Sequence, residues 1–400
     1  MVDHMDNSAA RVSSATVDAV LAALYREGPL TRAALCAITG LSRPSVSAAV
    51  GTLVATGVAE ERTEPAAGRG RPSRRVRLST RRADTVGIEL GRSHVAVALA
   101  DLSGVVFTTA VEDIDAASTM IERCNAALAV LDRAAADGDI DMREVRQVAV
   151  GTPGPRFHAD ASRTAVPPRS APLGSLAAFD VGRLERERSE VAQLLMDRFN
   201  VPVVVGNNTR WTAVAEAHRR GNNLDLVYIR LDEGVGGGIV ESGEAATGTA
   251  GAAGEVGHIS VDPLGDRCPC GGRGCLELVA SLPSVLRAAG ARDIDDLLAH
   301  IDEPQVHAAV DRAAVAAGGV LAGLLAATNP AVLAVGGAVA ELPGFLSRLD
   351  QVARDASPDW ATIDLVIEPA GTDRILGAVG AATAAAATLD VVVPLRRKDA

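Results

Sequence analysis

The sequence predicts an α/β protein in which a small helical module precedes a larger module of alternating strands and helices. Three observations lead to this prediction. Apolar residues recur at helical spacing up to residue 54, they follow the pattern of strands from residue 85, and a cysteine-rich loop interrupts the second half. Because 400 residues exceed one ordinary domain, at least two domains are expected.

Three short helices are predicted in the N-terminal module. The first covers 16–26, the second begins at the N-cap candidate Thr31 and ends at Gly40, and the third begins at the N-cap candidate Ser42. Their predicted inward-facing residues are Val17, Val20, Leu21, Leu24, Leu35, Ile38, Val46, Val50, Leu53 and Val54. The segments 58–62 and 76–78 flank a tip rich in Pro, Gly and Arg, so we expect them to pair as a two-stranded wing.

This order of elements resembles a winged helix-turn-helix, which we assign to residues 12–80. The third helix would enter the major groove of DNA by its N-terminus, and the wing tip would reach a minor groove. The predicted DNA contacts are Arg43, Ser45, Ser47, Arg69 and Arg71. Residues 1–80 carry a net charge of +3 and the remainder carries −14, which favours an anionic partner for the small module. The alternative is a helical dimerisation module with a linker.

The larger module opens with three consecutive predicted strands, 85–90, 94–101 and 105–112, followed by a helix over 115–135 and a strand over 147–151. A second half begins near Leu226. The most apolar stretch, 313–340, contains Gly-Gly and Asn-Pro breaks, so it predicts a buried helix and strand and no membrane span. Since the N-terminus also lacks the basic-then-apolar order of a signal peptide, we expect a cytoplasmic protein.

The segment 254–277 predicts a metal site. Cys268, Cys270 and Cys275 lie within eight residues, and His258 lies ten residues upstream of the first of them. Three thiolates and one imidazole form a closed tetrahedral site for a structural zinc ion, and the neighbouring glycines let the backbone turn around it. The alternatives are a disulfide or free buried thiols, and the small number of cysteines argues against a secreted disulfide framework.

The cysteine-rich segment resembles the zinc loop of the ROK family (repressor, open reading frame, kinase), which contains sugar kinases and sugar-responsive repressors. The resemblance extends over about 12–390. It implies a two-lobed actin-like, ribonuclease H-type ROK domain over 84–390, with lobe one at about 84–205 and lobe two at about 206–390.

Kinases of this family need phosphate-binding loops and a general base, and the sequence departs from both patterns. Glu89 stands where the kinases carry Asp, and Asp232 and Glu233 precede the glycine-rich segment 234–238, where two carboxylates would repel a triphosphate. Asn208 occupies the position of the catalytic Asp, and an amide cannot take a proton from a sugar hydroxyl. The sequence therefore predicts that kinase activity has been lost and that the protein is not an enzyme.

Glu255 and His258 match the Glu-x-x-His pattern of the family, and Glu277 follows the last cysteine. The resemblance implies that an effector is bound by Asn207, Asn208, Glu255, His258 and Glu277. A turn at 151–155 would contribute backbone beside the sugar. We therefore predict a transcription regulator, a repressor by analogy with the family, that binds operator DNA as a homodimer or dimer of dimers and responds to a sugar or sugar derivative. The alternatives are an ATP-dependent sugar kinase with a DNA-binding arm and an effector-independent DNA-binding regulator.

Overall fold

The computed structural model describes residues 14–64, 73–79, 82–154, 181–221, 224–249 and 251–389. They form a winged module and two lobes, each with its own sheet. The winged sheet has three strands, and each lobe contains a five-stranded sheet. A two-lobed α/β protein preceded by a small winged module confirms the predicted fold class.

The winged module contains the three predicted helices and the wing. Its elements are α1 (Ser14–Glu27), β1 (Leu30–Thr31), α2 (Arg32–Thr39), α3 (Arg43–Ala55), β2 (Ala59–Glu64) and β3 (Ser73–Leu78). Both predicted caps form, since Thr31 accepts from the backbone N–H of Ala34 and Ser42 from that of Ser45. Two interior assignments were wrong: Ile38 is 44% exposed and Val54 is 41% exposed.

Lobe one consists of β4 to β8 with helices α4 and α5. The bounds are β4 (Thr85–Leu90), β5 (His94–Ala100), β6 (Val106–Asp113), α4 (Met120–Asp137), β7 (Gln147–Thr152), α5 (Val181–Phe199) and β8 (Val203–Asn207). The sheet order is β6-β5-β4-β7-β8, with the first three strands antiparallel and the last three parallel. The helix predicted over 115–135 begins only at Met120, because Thr119 and Glu122 form a capping box there.

Lobe two repeats this plan around a sheet of order β11-β10-β9-β12-β13. Its elements are α6 (Asn208–Arg220), β9 (Leu226–Leu231), β10 (Val235–Glu241), β11 (Glu244–Ala245), α7 (Glu277–Ala280), α8 (Leu282–Ala289), α9 (Ile294–Ala299), α10 (Pro304–Thr328), β12 (Val332–Gly336), α11 (Phe345–Asp355) and β13 (Val366–Pro369). The apolar stretch is α10 followed by β12, as predicted.

Helix α10 is the one continuous helix among the described residues that is long and apolar enough to cross a membrane, and α2 and α3 pass the same test together as a bent pair. Ala313, Ala317 and Leu321 of α10 are fully buried in the core of lobe two. Helix α10 packs against α8 and α11. It is therefore a core helix of this lobe.

The last helix, α12 (Leu376–Ala387), returns to lobe one. It packs against β4, β5 and β7 of that lobe and against α6. Helix α12 therefore packs on the sheet of lobe one, although it follows the elements of lobe two in the chain. Gly87 and Gly380 make this packing possible, because a Cβ at either position would overlap the facing backbone.

Candidate functional site

A cleft of about 420 Å³ lies between the two lobes. Strand ends and loops of both lobes line it. The five residues predicted to bind an effector, Asn207, Asn208, Glu255, His258 and Glu277, all border this one cleft. These residues are up to 70 positions apart in the sequence. They come from the end of β8, the start of α6, the loop at 255–258 and the start of α7.

Asn207 fixes the junction between β8 and α6. Its Oδ1 accepts hydrogen bonds from the backbone N–H and the hydroxyl of Thr209, at 2.8 and 2.6 Å, and so caps α6. Its Nδ2 donates to the Gly154 carbonyl at 3.0 Å and to Glu255 Oε1 at 3.2 Å. These bonds hold the amide of Asn207 and the carboxylate of Glu255 beside each other at the cleft surface.

Asn208 lines the wall of the cleft, but its amide is turned toward lobe one. Its side chain is 2% exposed, and Nδ2 donates to the Leu90 carbonyl at 3.2 Å. Oδ1 packs against Gly151, where a Cβ would overlap it, and accepts no hydrogen bond from any described residue. Asn208 therefore ties α6 to β4.

The two carboxylates of this region have different surroundings. Burial raises the pKa of Glu255 above its ordinary value, although Arg210 and Arg188 act in the opposite direction. Glu277 Oε2 accepts a hydrogen bond from the backbone N–H of Val235 at 3.2 Å. One backbone N–H at the start of the glycine-rich segment therefore already donates to a carboxylate of the protein.

Arg188 was not predicted as a site residue. Its Nε donates to Thr152 Oγ1 at 2.9 Å, and its Nη2 donates to the carbonyls of Pro153 and Gly154, both at 2.9 Å. It therefore supports the described part of the predicted 151–155 turn. An arginine in the middle of a helix, more than thirty residues from the turn, has no local pattern that would have identified it.

The predicted metal ligands converge on one point. The nearest ligand atoms of His258, Cys268, Cys270 and Cys275 lie within 4.8 Å of one another. His258 Nδ1 is 3.8 Å from Cys268 Sγ, and the Sγ atoms of Cys270 and Cys275 are 3.5 Å apart. A tetrahedral ion with metal–sulfur bonds of about 2.3 Å requires ligand atoms roughly 3.5 to 4 Å apart. The cluster therefore fits a metal ion of this kind.

The loop backbone and the thiols both suit this arrangement. Gly274 has φ +56° and lies so close to the Asp262 carbonyl that a Cβ would overlap it. Burial raises the pKa of the Cys268 and Cys275 thiols. A bound cation would offset this cost of forming thiolates.

The cleft is also lined by charged side chains from both lobes. Glu89 Oε1 is 4.0 Å from Arg230 of lobe two and 3.7 Å from His94 Nε2. Burial raises the pKa of Glu89 to about 7 and lowers the pKa of His94 to about 4. Arg92 of lobe one is 4.0 Å from Glu233 of lobe two. Two carboxylate–arginine contacts therefore join the two lobes across the cleft.

The predicted DNA contacts lie at the start of α3 where the structure describes them. Arg43 and Ser47 are exposed and Ser45 is half-buried. The Ser45 hydroxyl hydrogen-bonds that of Ser42, and the Ser47 hydroxyl accepts from Arg32 Nη1 at 2.8 Å. Arg32 had not been predicted here and also pairs with Glu61 of the wing. Arg69 and Arg71 lie outside the described residues.

Comparison with known proteins gives this architecture a family. Residues 85–388 match the ROK family and residues 19–70 match the MarR family. The chain is 30% identical over 272 residues to the DNA-binding transcriptional dual regulator NagC of Escherichia coli strain K12, covering 65% of this chain and 62% of NagC. It is 31% identical over 195 residues to an N-acetylmannosamine kinase of Citrobacter koseri, covering 47% of this chain and 66% of that kinase.

A solved structure shares the fold over nearly the whole chain. It is a ROK family transcriptional regulator described as a homologue of the E. coli MLC protein, with a TM-score of 0.67 and 22% identity, covering 95% of this chain and 97% of that one. The likeness includes both the winged module and the two lobes, whereas the match to NagC spans less than two thirds of that regulator. From these matches and its own geometry, the chain is a member of the ROK family with an N-terminal MarR-type winged helix.

Proposed function

We propose that this protein is a DNA-binding transcription regulator that senses a sugar or sugar derivative and does not phosphorylate it. One observation carries the proposal: a winged module precedes a cleft that retains polar groups for hydroxyl binding, while a carboxylate of the protein accepts a hydrogen bond from a backbone N–H of the glycine-rich segment. The relatives that it matches include both a regulator and a kinase, so the proposal depends on the residues that line the cleft.

The effector end suits a polyol. The carboxylates of Glu255 and Glu277 accept hydrogen bonds from hydroxyls, and the amide of Asn207 accepts and donates. The side-chain amide of Asn208 is turned toward Leu90, so Asn208 would contact the effector by packing and would hydrogen-bond it only after its side chain rotates. Zinc held by His258 Nδ1 and the three cysteines would leave the opposite side of the imidazole toward the cleft and fix the orientation of the ring.

Several features of the cleft argue against phosphoryl transfer. An amide stands at the position of the general base, and Glu277 accepts the Val235 N–H. The pairs Glu89–Arg230 and Arg92–Glu233 join the lobes beside the segments that the family resemblance assigns to phosphate binding. A triphosphate would have to separate both pairs and approach Asp232 against its charge. We therefore propose that the cleft still binds a sugar but no longer catalyses its phosphorylation.

DNA would be bound by the start of α3, where Arg43 and the first-turn N–H groups can meet phosphates. A homodimer or dimer of dimers would present two such helices to two half-sites. Effector binding would favour one arrangement of the lobes over another and so change the spacing of the recognition helices. Repression follows by analogy with the relatives described as repressors.

A melting-temperature scan against free sugars, amino sugars, sugar phosphates and ATP tests the ligand. We expect a shift with one class of sugar and none with ATP. The same protein is then titrated against duplexes selected from a random pool, with and without that sugar, and a change in DNA affinity is expected. A shift with ATP together with turnover of a hexose would instead establish the kinase alternative, and selected duplexes whose binding ignores every ligand would establish an effector-independent regulator.

A further inference from the structure

The winged module and lobe one share one hydrophobic core. Leu102, in the turn between β5 and β6 of lobe one, is 3% exposed and belongs to the apolar cluster formed by α1, α2, α3 and the wing strands. Leu389, two residues beyond α12, packs against the same cluster. Two side chains of the larger domain therefore complete the interior of the smaller one.

The turn that carries Leu102 is held rigidly. Asp101 Oδ1 accepts hydrogen bonds from the backbone N–H groups of Ser103 and Val105 at 2.8 and 3.1 Å. The Gly104 carbonyl accepts from Thr383 Oγ1 of α12 at 3.3 Å, and a Cβ at Gly104 would stand 3.4 Å from Ala386. The position of Leu102 is therefore tied to the C-terminal half of α12.

The other end of α12 reaches the cleft. Leu376 and Gly377 line it, and a Cβ at Gly377 would overlap the Glu89 carboxylate. Twelve residues at 1.5 Å each make α12 a rigid rod of about 18 Å. One end of this rod lies at the cleft and the other lies under the winged module.

We propose that α12, with Leu102 and Leu389 as its anchors, couples the cleft mechanically to the winged module. A displacement of α12 that accompanies a change in the lobes moves the module as part of the same packed body, because close-packed interiors transmit displacement. Both leucines act as positioning residues, since neither contacts DNA or ligand. The sensing half of this inference rests on the proposed function, whereas the shared core does not.

Hydrogen exchange on the full-length protein tests the shared core without any ligand. We expect Leu102→Ala to accelerate amide exchange in α1, α2 and α3 by about 30-fold or more, the factor that corresponds to emptying a packed leucine site. Amides of α10 in lobe two should keep their wild-type rates. The matched control is Val105→Ala, since Val105 lies in the same turn but is 53% exposed, and it should leave both regions unchanged. Wild-type exchange of α1–α3 in Leu102→Ala would overturn the proposal.

Leu389→Ala serves as a second variant if Leu102→Ala does not fold, because Leu389 is only partly buried. A second arm measures DNA affinity with and without the sugar found by the melting scan. Leu102→Ala should keep the melting shift and lose the change in DNA affinity. If the variant keeps that change in full, the coupling is wrong. If the wild-type protein shows none, the proposed function fails, and the exchange experiment alone decides whether the modules share a core.

Discussion

At the scale of single residues, Asn208 is held by lobe one, with its side-chain amide bonded to the Leu90 carbonyl. Restoring the acidic residue of the kinases, Asn208→Asp, should not create kinase activity. The new carboxylate would face the Leu90 carbonyl and Gly151 with no hydrogen-bond donor, because Nδ2 is the atom that now satisfies Leu90. We expect a loss of about 1 to 3 kcal/mol in unfolding free energy.

Urea titration measures the stability of Asn208→Asp, and an ATP-coupled assay with a hexose panel measures its activity. Burial should raise the pKa of the introduced carboxyl, so the loss should be largest above that pKa and shrink as the solution is acidified. Asn200→Asp is the control because Asn200 is exposed and has φ +53°, which Asp tolerates. Robust sugar phosphorylation by Asn208→Asp would mean that the phosphate end of the cleft still works.

Glu89 predicts a pH dependence of stability. Its folded pKa of about 7 lies above the ordinary value of 4.5, so ionising the buried carboxyl costs stability. The cost is absent below pH 4.5, grows as the pH rises, and is fully present above pH 7. Glu89→Gln removes it, so the variant should gain stability relative to wild type by on the order of 2 to 3 kcal/mol between pH 4 and pH 8.

Denaturant unfolding of both proteins across this range isolates Glu89, because other titrating groups such as Asp84 are common to both chains. A difference between the two proteins that does not vary with pH would show that Glu89 has the same pKa folded and unfolded. If Glu89→Gln instead gained stability relative to wild type as the pH fell, the folded pKa of Glu89 would lie below 4.5, and the attraction of Arg230 would outweigh burial.

At the scale of elements, local patterns were predicted well and long-range packing was not. Thr31 and Ser42 cap their helices as predicted because capping depends on residues three positions away. Ile38 and Val54 have helical spacing too, but a three-helix module has too little interior to cover every apolar side chain. Nothing local in α12 indicates that it packs on a sheet whose strands begin almost 300 residues earlier.

In the candidate site, too, local spacing was predicted and contacts between distant elements were not. The four metal ligands lie within 18 residues, so their spacing sufficed to predict the cluster. Glu255 and Glu277 were identified through the family resemblance, and they do border the cleft. The occupation of the Val235 N–H by Glu277, the inward turn of Asn208 and the support from Arg188 all depend on distances between elements, which one sequence does not contain.

The cysteine-rich loop should behave as one element with a bound metal ion. We expect the purified protein to contain one zinc ion per chain, and Cys275→Ser to lose it, because the site then keeps two thiolates and one imidazole. His258 and Glu277, at the two ends of this loop, border the cleft, so loss of the ion should lower the melting temperature and weaken any sugar-induced shift. Metal analysis and a melting scan measure both effects.

Cys36→Ser is the matched control, since Cys36 lies in α2 of the winged module, and it should keep the metal. DNA binding at low temperature should survive in Cys275→Ser because the winged core contains none of the ligands. A sugar-induced melting shift of wild-type size in the metal-free protein would mean that the effector site does not depend on the metal.

At the scale of the whole molecule, the charge distribution and the fold together predict how DNA is read. The module of residues 1–80 has a net charge of +3 on a chain of net −11, so the larger domain is repelled by the duplex and the contact is confined to the module. A single short α3 offers few base contacts. Two modules on a homodimer would double them and set a fixed distance between half-sites.

We therefore expect tight binding to an inverted repeat whose half-sites are about one helical turn, or a whole number of turns, apart. Inserting about 5 base pairs between the half-sites turns one of them to the opposite face of the duplex and should weaken binding at least tenfold, whereas about 10 should restore much of it. Fluorescence anisotropy gives the affinities, and sedimentation of the complex should give two chains per duplex or a multiple of two.

Arg43→Ala should weaken binding to every spacing alike and reduce the salt dependence by about one ion per module. Equal affinity for a single half-site and for the inverted repeat would mean that each module binds DNA alone. An effector could then not change DNA affinity by changing the distance between two modules.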